Sequence, residues 1–353
     1  MALFAALVWV ISKHHKALPM APYRRLFWLG QVASFGMLFT FPFMGYKWPS
    51  IAFSTLSVLF SYLFAVRAWK DMRESSMPYP VVLWFRSGLV MMVLSTFGTF
   101  FLAWLMMQKS HSQELYIGSV YFFLHFQYNG WFLFAIFGCF YFFLSRIPYQ
   151  AGCHARTQVY QLLLIAVVPA FFLSALWMRL PAWMYWTAVV AGLLQLWALY
   201  YFSKVLFNCV RGTHAEVSAT VKWLWGFALL AFVLKILMQA LSVIPSVTHF
   251  AFGLRPIVIG YLHMVLLGLV SFFLVGFFLQ QGLIRQDTRL AKAGVWLFIG
   301  SVVANEALLM LQGLFSIWYQ AFRYANHLLF VVAILIFASL VMLLAGQRTV
   351  ARS

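Results

Sequence analysis

Apolar runs long enough to cross a bilayer follow one another along the whole chain, separated by short polar or charged breaks. A helix rises about 1.5 Å per residue, so about twenty such residues span the hydrocarbon core. With turn residues and charges taken as breaks, the pattern predicts eleven helices. They lie near 1–13, 23–44, 49–68, 80–107, 115–146, 157–178, 181–204, 220–245, 254–284, 290–315 and 319–346. Pro49, Pro80 and Pro181 suit first-turn positions, where a missing N–H costs little. Pro148 and Pro245 suit positions just past a helix end. The expected fold is an all-α membrane protein of eleven transmembrane helices, a single integral membrane domain over 1–353. Its first run lacks the basic start and small-residue cleavage site of a signal peptide. That run is short for a span, so the first helix is expected either to continue to Lys13 or to belong to a trimmed product.

Composition agrees: 65% of the 353 residues are hydrophobic and 8% charged, which excludes an ordinary soluble domain. The net charge of +18 is spread over alternate loops and is not gathered in one patch, so a lipid bilayer and not nucleic acid is the expected partner. One side collects Lys13, Lys16, Arg24 and Arg25, then Arg67, Lys70 and Arg73, then Arg146 and Arg156. The same side goes on to Lys204, Arg211 and Lys222, then Arg285, Arg289 and Lys292, and ends with Arg348 and Arg352. The other side has Lys47, Lys109, Arg179, Arg255 and Arg323. The positive-inside rule makes the richer side cytoplasmic. The expected location is a bacterial inner membrane, with the N-terminus outside and the C-terminus cytoplasmic. Cys139, Cys153 and Cys209 have no CxxC spacing and are expected to be free thiols.

Against this apolar background the ionisable residues within spans are the candidates for function. His125, His263 and His327 each fall about nine to twelve residues into a helix that enters from the outer face, which puts the three imidazoles near one depth. Lys235 and Glu306, on helices running the other way, fall in the same layer. Glu306 is expected to be the only one of six acidic residues outside a loop, with Lys235 as its counter-charge. Arg86 lies nearer the cytoplasmic side, where it could snorkel. His111, His154, His214 and His249 are expected in loops, as is the His14-His15 pair.

Two of the histidine helices share a spacing. His125-Phe-Gln-Tyr128-Asn129-Gly130, then Gly138, and His263-Met-Val-Leu-Leu-Gly268, then Gly276, are both H-x4-G-x7-G. At 3.6 residues per turn the glycines sit about 140° and 220° around from the imidazole. The predicted helix therefore packs its back closely on a neighbour and projects a ligand from its front. The copies are four helices apart, which suggests a four-helix internal repeat. The last histidine helix, Tyr324-Ala325-Asn326-His327, lacks the glycines.

The stretch HFQYNGWFLFAIFG and the paired histidine helices resemble the catalytic subunit of the haem–copper oxidase and nitric oxide reductase superfamily, most closely its short stand-alone members, and the NnrS family. The resemblance implies a twelve-helix bundle of three four-helix arcs, of which the eleven predicted helices would lack the first. It also implies haem b or copper held toward the outer face, a redox partner subunit or cytochrome, and electron transfer or small-gas (nitric oxide or oxygen) chemistry by an oxidoreductase. Carried onto this sequence, His125, His263 and His327 would be metal ligands, Tyr128 and Asn129 cofactor contacts, and Glu306 a catalytic proton or polar partner. No H-x-H and no adjacent histidine pair lies within a helix, so a single haem, a copper site and a degenerate relative all stay open. Two further readings stand beside this one: a proton- or ion-coupled transporter with an aqueous cavity at Glu306, and a cofactor-less scaffold of the same fold.

Overall fold

The computed structural model describes residues 1–147, 153–212, 217–318, 320 and 322–350. The expected roles of Pro148 and His214 lie outside the described residues, as do the side chains of Cys153 and His249. Every element among the described residues is helical. In hydrocarbon the backbone must satisfy its own hydrogen bonds, and a helix does so within one segment. Nine helices among them are long and apolar enough to cross a membrane, which makes this an all-α, multi-pass membrane architecture.

The chain divides into two compact units, Met1–Pro148 and Tyr149–Ser353. The first holds α1 (Ala2–Ser12), α2 (Met20–Met44), α3 (Trp48–Glu74), α4 (Tyr79–Met107), α5 (Gln113–His125), a π-helical segment π1 (Phe126–Phe132) and α6 (Leu133–Ser145). Gly45, with φ of +59°, turns α2 into α3 through a conformation that side chains with a Cβ rarely adopt. Pro49 and Pro80 occupy first-turn positions as expected. Ser112 caps α5 by accepting from the Leu115 N–H. The eleven-residue α1 is shorter than the nine helices of membrane-spanning length, yet its Leu7 and Ile11 are fully buried, and Trp9 meets Phe142 of α6 edge-on.

The second unit holds α7 (Cys153–Val167), α8 (Phe171–Ser174), α9 (Ala182–Gly212), α10 (Ala219–Leu241), α11 (Pro245–Gly253) and α12 (Arg255–His263). A second π segment, π2 (Met264–Ser271), follows, then α13 (Phe272–Gln280), α14 (Arg289–Ile317) and α15 (Ala325–Val350). The helix expected over 157–178 is interrupted at Pro169, which has no N–H to give, and resumes only as the short α8. Pro245 opens a further helix where a helix end was expected, and His249 falls in that helix and not in a loop. The antiparallel neighbours α10, α12–π2–α13, α14 and α15 pack in chain order.

Candidate functional site

Each motif histidine is the last residue of an α-helix, and a π-helical segment opens at the next residue: π1 after His125 and π2 after His263. Hydrogen bonds there run to i+5 and widen the turn, an arrangement that is rare and concentrates at functional positions. The 3.6-residue azimuths predicted for the glycines do not carry through such a segment. The glycines nevertheless pack as expected. A Cβ on Gly130 would lie 2.5 Å from the Cβ of Met91, and one on Gly138 would lie 2.8 Å from the Phe85 ring, both on α4. In the second unit, a Cβ on Gly268 would lie 3.2 Å from Ala231, and one on Gly276 2.6 Å from Trp225, both on α10. In both units the histidine helix rests its glycines on the preceding span.

His125 is buried, with Phe126 edge-on 5.0 Å away. Its Nδ1 lies 3.2 Å from Asn129 Nδ2, one turn on, while Asn129 Oδ1 is buried without a hydrogen-bond partner. Gln127 accepts from Ser95 of α4 at 3.2 Å, and Tyr128 stacks on Phe132. His263, half-buried, has Nδ1 2.9 Å from the Ile259 carbonyl. A carbonyl only accepts, so Nδ1 carries the proton and Nε2 keeps its lone pair.

Antiparallel contacts in the second unit fix levels. Gly268 on Ala231 and Gly276 on Trp225 set the register of α10; one further turn brings Lys235 level with His263 and Met264. Gly260 on Leu309 and Gly313 on Ile257 bring Glu306 to that same level. The contacts of Gly294 with Leu343 and Ser339 put His327 about one turn away from it. His327 and Asn326 are exposed on α15, and His263, Glu306 and His327 are not gathered at metal-ligand distance.

Shared level does not make an ion pair. Among the described residues no salt bridge joins Lys235 to Glu306. Lys235, 1% exposed, donates to Gln239 Oε1 at 2.7 Å, and Glu306 Oε1 accepts from Asn305 Nδ2 at 3.2 Å. Glu306 instead lines a cavity of about 350 Å³ between α10, α12–π2 and α14, to which Tyr261 also contributes. The Tyr261 hydroxyl is buried without a hydrogen-bond partner, and sequence reasoning gave it no role. Its only signal was a phenol two residues before His263 in an apolar run.

Glu306 is also not alone among acidic residues in a helix. α3 runs on to Glu74, and Asp71, 1% exposed, sits within it. Tyr23 donates to Asp71 at 2.7 Å and Arg67 at 3.0 Å, while His15 lies 3.7 Å from Glu74. His15, Asp71 and Glu74 are the one group of ligand-type side chains gathered within 4.8 Å among the described residues. With Asp71 already neutralised by Arg67, the group is an ion-pair network. Asp71→Ala should cost about 2–4 kcal/mol in detergent unfolding, since it strands a tyrosine hydroxyl and an arginine. Adding Tyr23→Phe should recover part of that loss, and an unchanged midpoint for Asp71→Ala would contradict the network.

No family model and no curated protein matches the sequence.

Proposed function

We propose that the chain is a haem- or copper-binding membrane protein of the haem–copper oxidase type, serving electron transfer or small-gas chemistry, with His125 and His263 as its principal ligands. The single observation that carries this reading is the common construction of the two motif helices. Each ends its α-helix on the imidazole, opens a π segment at the next residue and lays two glycines on the preceding span. Such duplication supports an internal repeat, in which α4 with α5–π1–α6 corresponds to α10 with α12–π2–α13.

The donor set suits such a group. A ligating imidazole is normally oriented by a partner on its other nitrogen, and the Ile259 carbonyl does this for His263. A carboxamide fits its site in either orientation. Turning that of Asn129 gives its buried Oδ1 the Nδ1–H of His125 as donor and leaves Nε2 as the ligating atom. A bound haem iron or copper would supply the one-electron step and a place for a diatomic gas. The chain would orient the imidazoles, exclude water with its apolar helices and offer Glu306 as a proton-holding group. On the positive-inside rule this layer lies toward the outer face of a bacterial inner membrane, with the N-terminus outside, the C-terminus cytoplasmic and α1 and α7 completing an eleven-helix bundle.

Oxidised-minus-reduced difference spectra of the purified protein, with metal analysis, test the reading. A Soret band or stoichiometric copper is expected, lost in His263→Ala and in His125→Ala but retained in His327→Ala. Protein with neither signal would end the cofactor reading and leave the carrier reading, which the Glu306 cavity favours.

A further inference from the structure

The cavity between α10, α12–π2 and α14 is lined by apolar residues except for Glu306 and Tyr261. We propose that it binds a lipid-soluble organic cation, a protonated amine or phosphonium on an apolar body, with Glu306 as counter-charge. The inference does not rest on the cofactor reading.

Charge complementarity chooses the occupant. Glu306 is the one charged residue of the lining, and among the described residues it forms no ion pair; it accepts from the neutral Asn305 amide. A carboxylate in apolar surroundings is unfavourable until a counter-charge arrives. Lys235, at the same level, is not part of the lining, and its ammonium is committed to Gln239. The rest of the cavity suits the remainder of such a molecule. Phe227, Phe272 and Tyr261 offer ring faces, to which a weakly hydrated cation is attracted. Met264 and Met310 add polarisable thioethers that adapt to varied shapes.

Access is lateral. Leu230 and Met310 line the cavity and are also 53% and 64% exposed on the apolar surface, so the cavity opens where acyl chains would lie. A cation dissolved in the bilayer could enter without crossing water. The volume, about 350 Å³, is at the small end of the range typical of small-molecule sites.

The test uses the full chain in lipid nanodiscs and radiolabelled tetraphenylphosphonium. Saturable binding at one site per chain is expected, weakened at least tenfold by Glu306→Gln and largely retained in Glu306→Asp. The uncharged triphenylphosphine oxide should compete poorly. Dicyclohexylcarbodiimide, a carboxyl reagent that reaches its target through lipid, should label Glu306 in the unmutated protein, and the cation should protect it. The last measurement stands even if Glu306→Gln does not fold. Absence of saturable binding, equal competition by the neutral oxide, or labelling of Glu306 undiminished by the cation would each overturn the proposal.

Discussion

Gly98→Val should destabilise the first unit by about 3 kcal/mol and strip any bound cofactor from it. A Cβ at position 98 would lie 2.6 Å from the Ser119 carbonyl oxygen and 2.8 Å from the Phe123 nitrogen. Both are backbone atoms of α5, so no rotamer change relieves the clash, and α4 and α5 must separate. Overpacking of this kind costs about 1–3 kcal/mol even where side chains can yield. The contact lies in the turn before His125, so the shift moves the imidazole as well. Gly226→Ala and Gly300→Ala are the controls, because nothing lies within 4 Å of a Cβ built at either position. Removing a helical glycine there should be neutral or stabilising by up to about 1 kcal/mol. Melting in detergent with the absorption spectrum followed in parallel reads both effects. A Gly98→Val protein that melts with the controls would mean that α4 and α5 are not in backbone contact.

Axial position along α10, α12–π2 and α14 was legible in the sequence; facing direction was not. Rise per residue is nearly constant, so counting from loop charges put Lys235, His263 and Glu306 at one level, and the glycine contacts in the second unit reproduce that level. Azimuth depends on neighbours and on helix type. Glu306 turns toward the cavity while Lys235 donates to Gln239 on its own helix, so the expected ion pair does not form. His327 shows the same limit. α15 is the most hydropathic span, yet little of it is buried, and a helix apolar all round gives no sign of which face meets protein. The π segments have no residue signature at all, since FQYNGWF and MVLLGLVS read as ordinary helix apart from one glycine each. Asp71 was missed because charges were read as breaks. In RAWKDMRE they are spaced as i,i+4 pairs, Arg67 with Asp71 and Lys70 with Glu74, which extend α3 instead of ending it.

Gln239→Leu should be among the most damaging single changes in the second unit, although it replaces a polar residue with an apolar one inside an apolar bundle. Lys235 is 1% exposed and Gln239 Oε1, at 2.7 Å, is its hydrogen-bond acceptor. Without that oxygen the ammonium is either buried unsatisfied or forced to lose its proton, at a cost of about 3 kcal/mol. Lys235→Met alone removes the charge with little change of volume and should be neutral or stabilising. The double variant should therefore be more stable than Gln239→Leu alone, with a coupling of about 1–3 kcal/mol. The same measurement separates two views of the layer. If Lys235 answered Glu306 directly, Lys235→Met and Glu306→Gln would be strongly non-additive; with Gln239 as partner, the two should add to within about 0.5 kcal/mol. Reversible unfolding of the four combinations in detergent decides it. Strong Lys235–Glu306 coupling together with a harmless Gln239→Leu would mean that the ammonium reaches across to α14, and the carboxylate would then lack the vacancy that a foreign cation is proposed to fill.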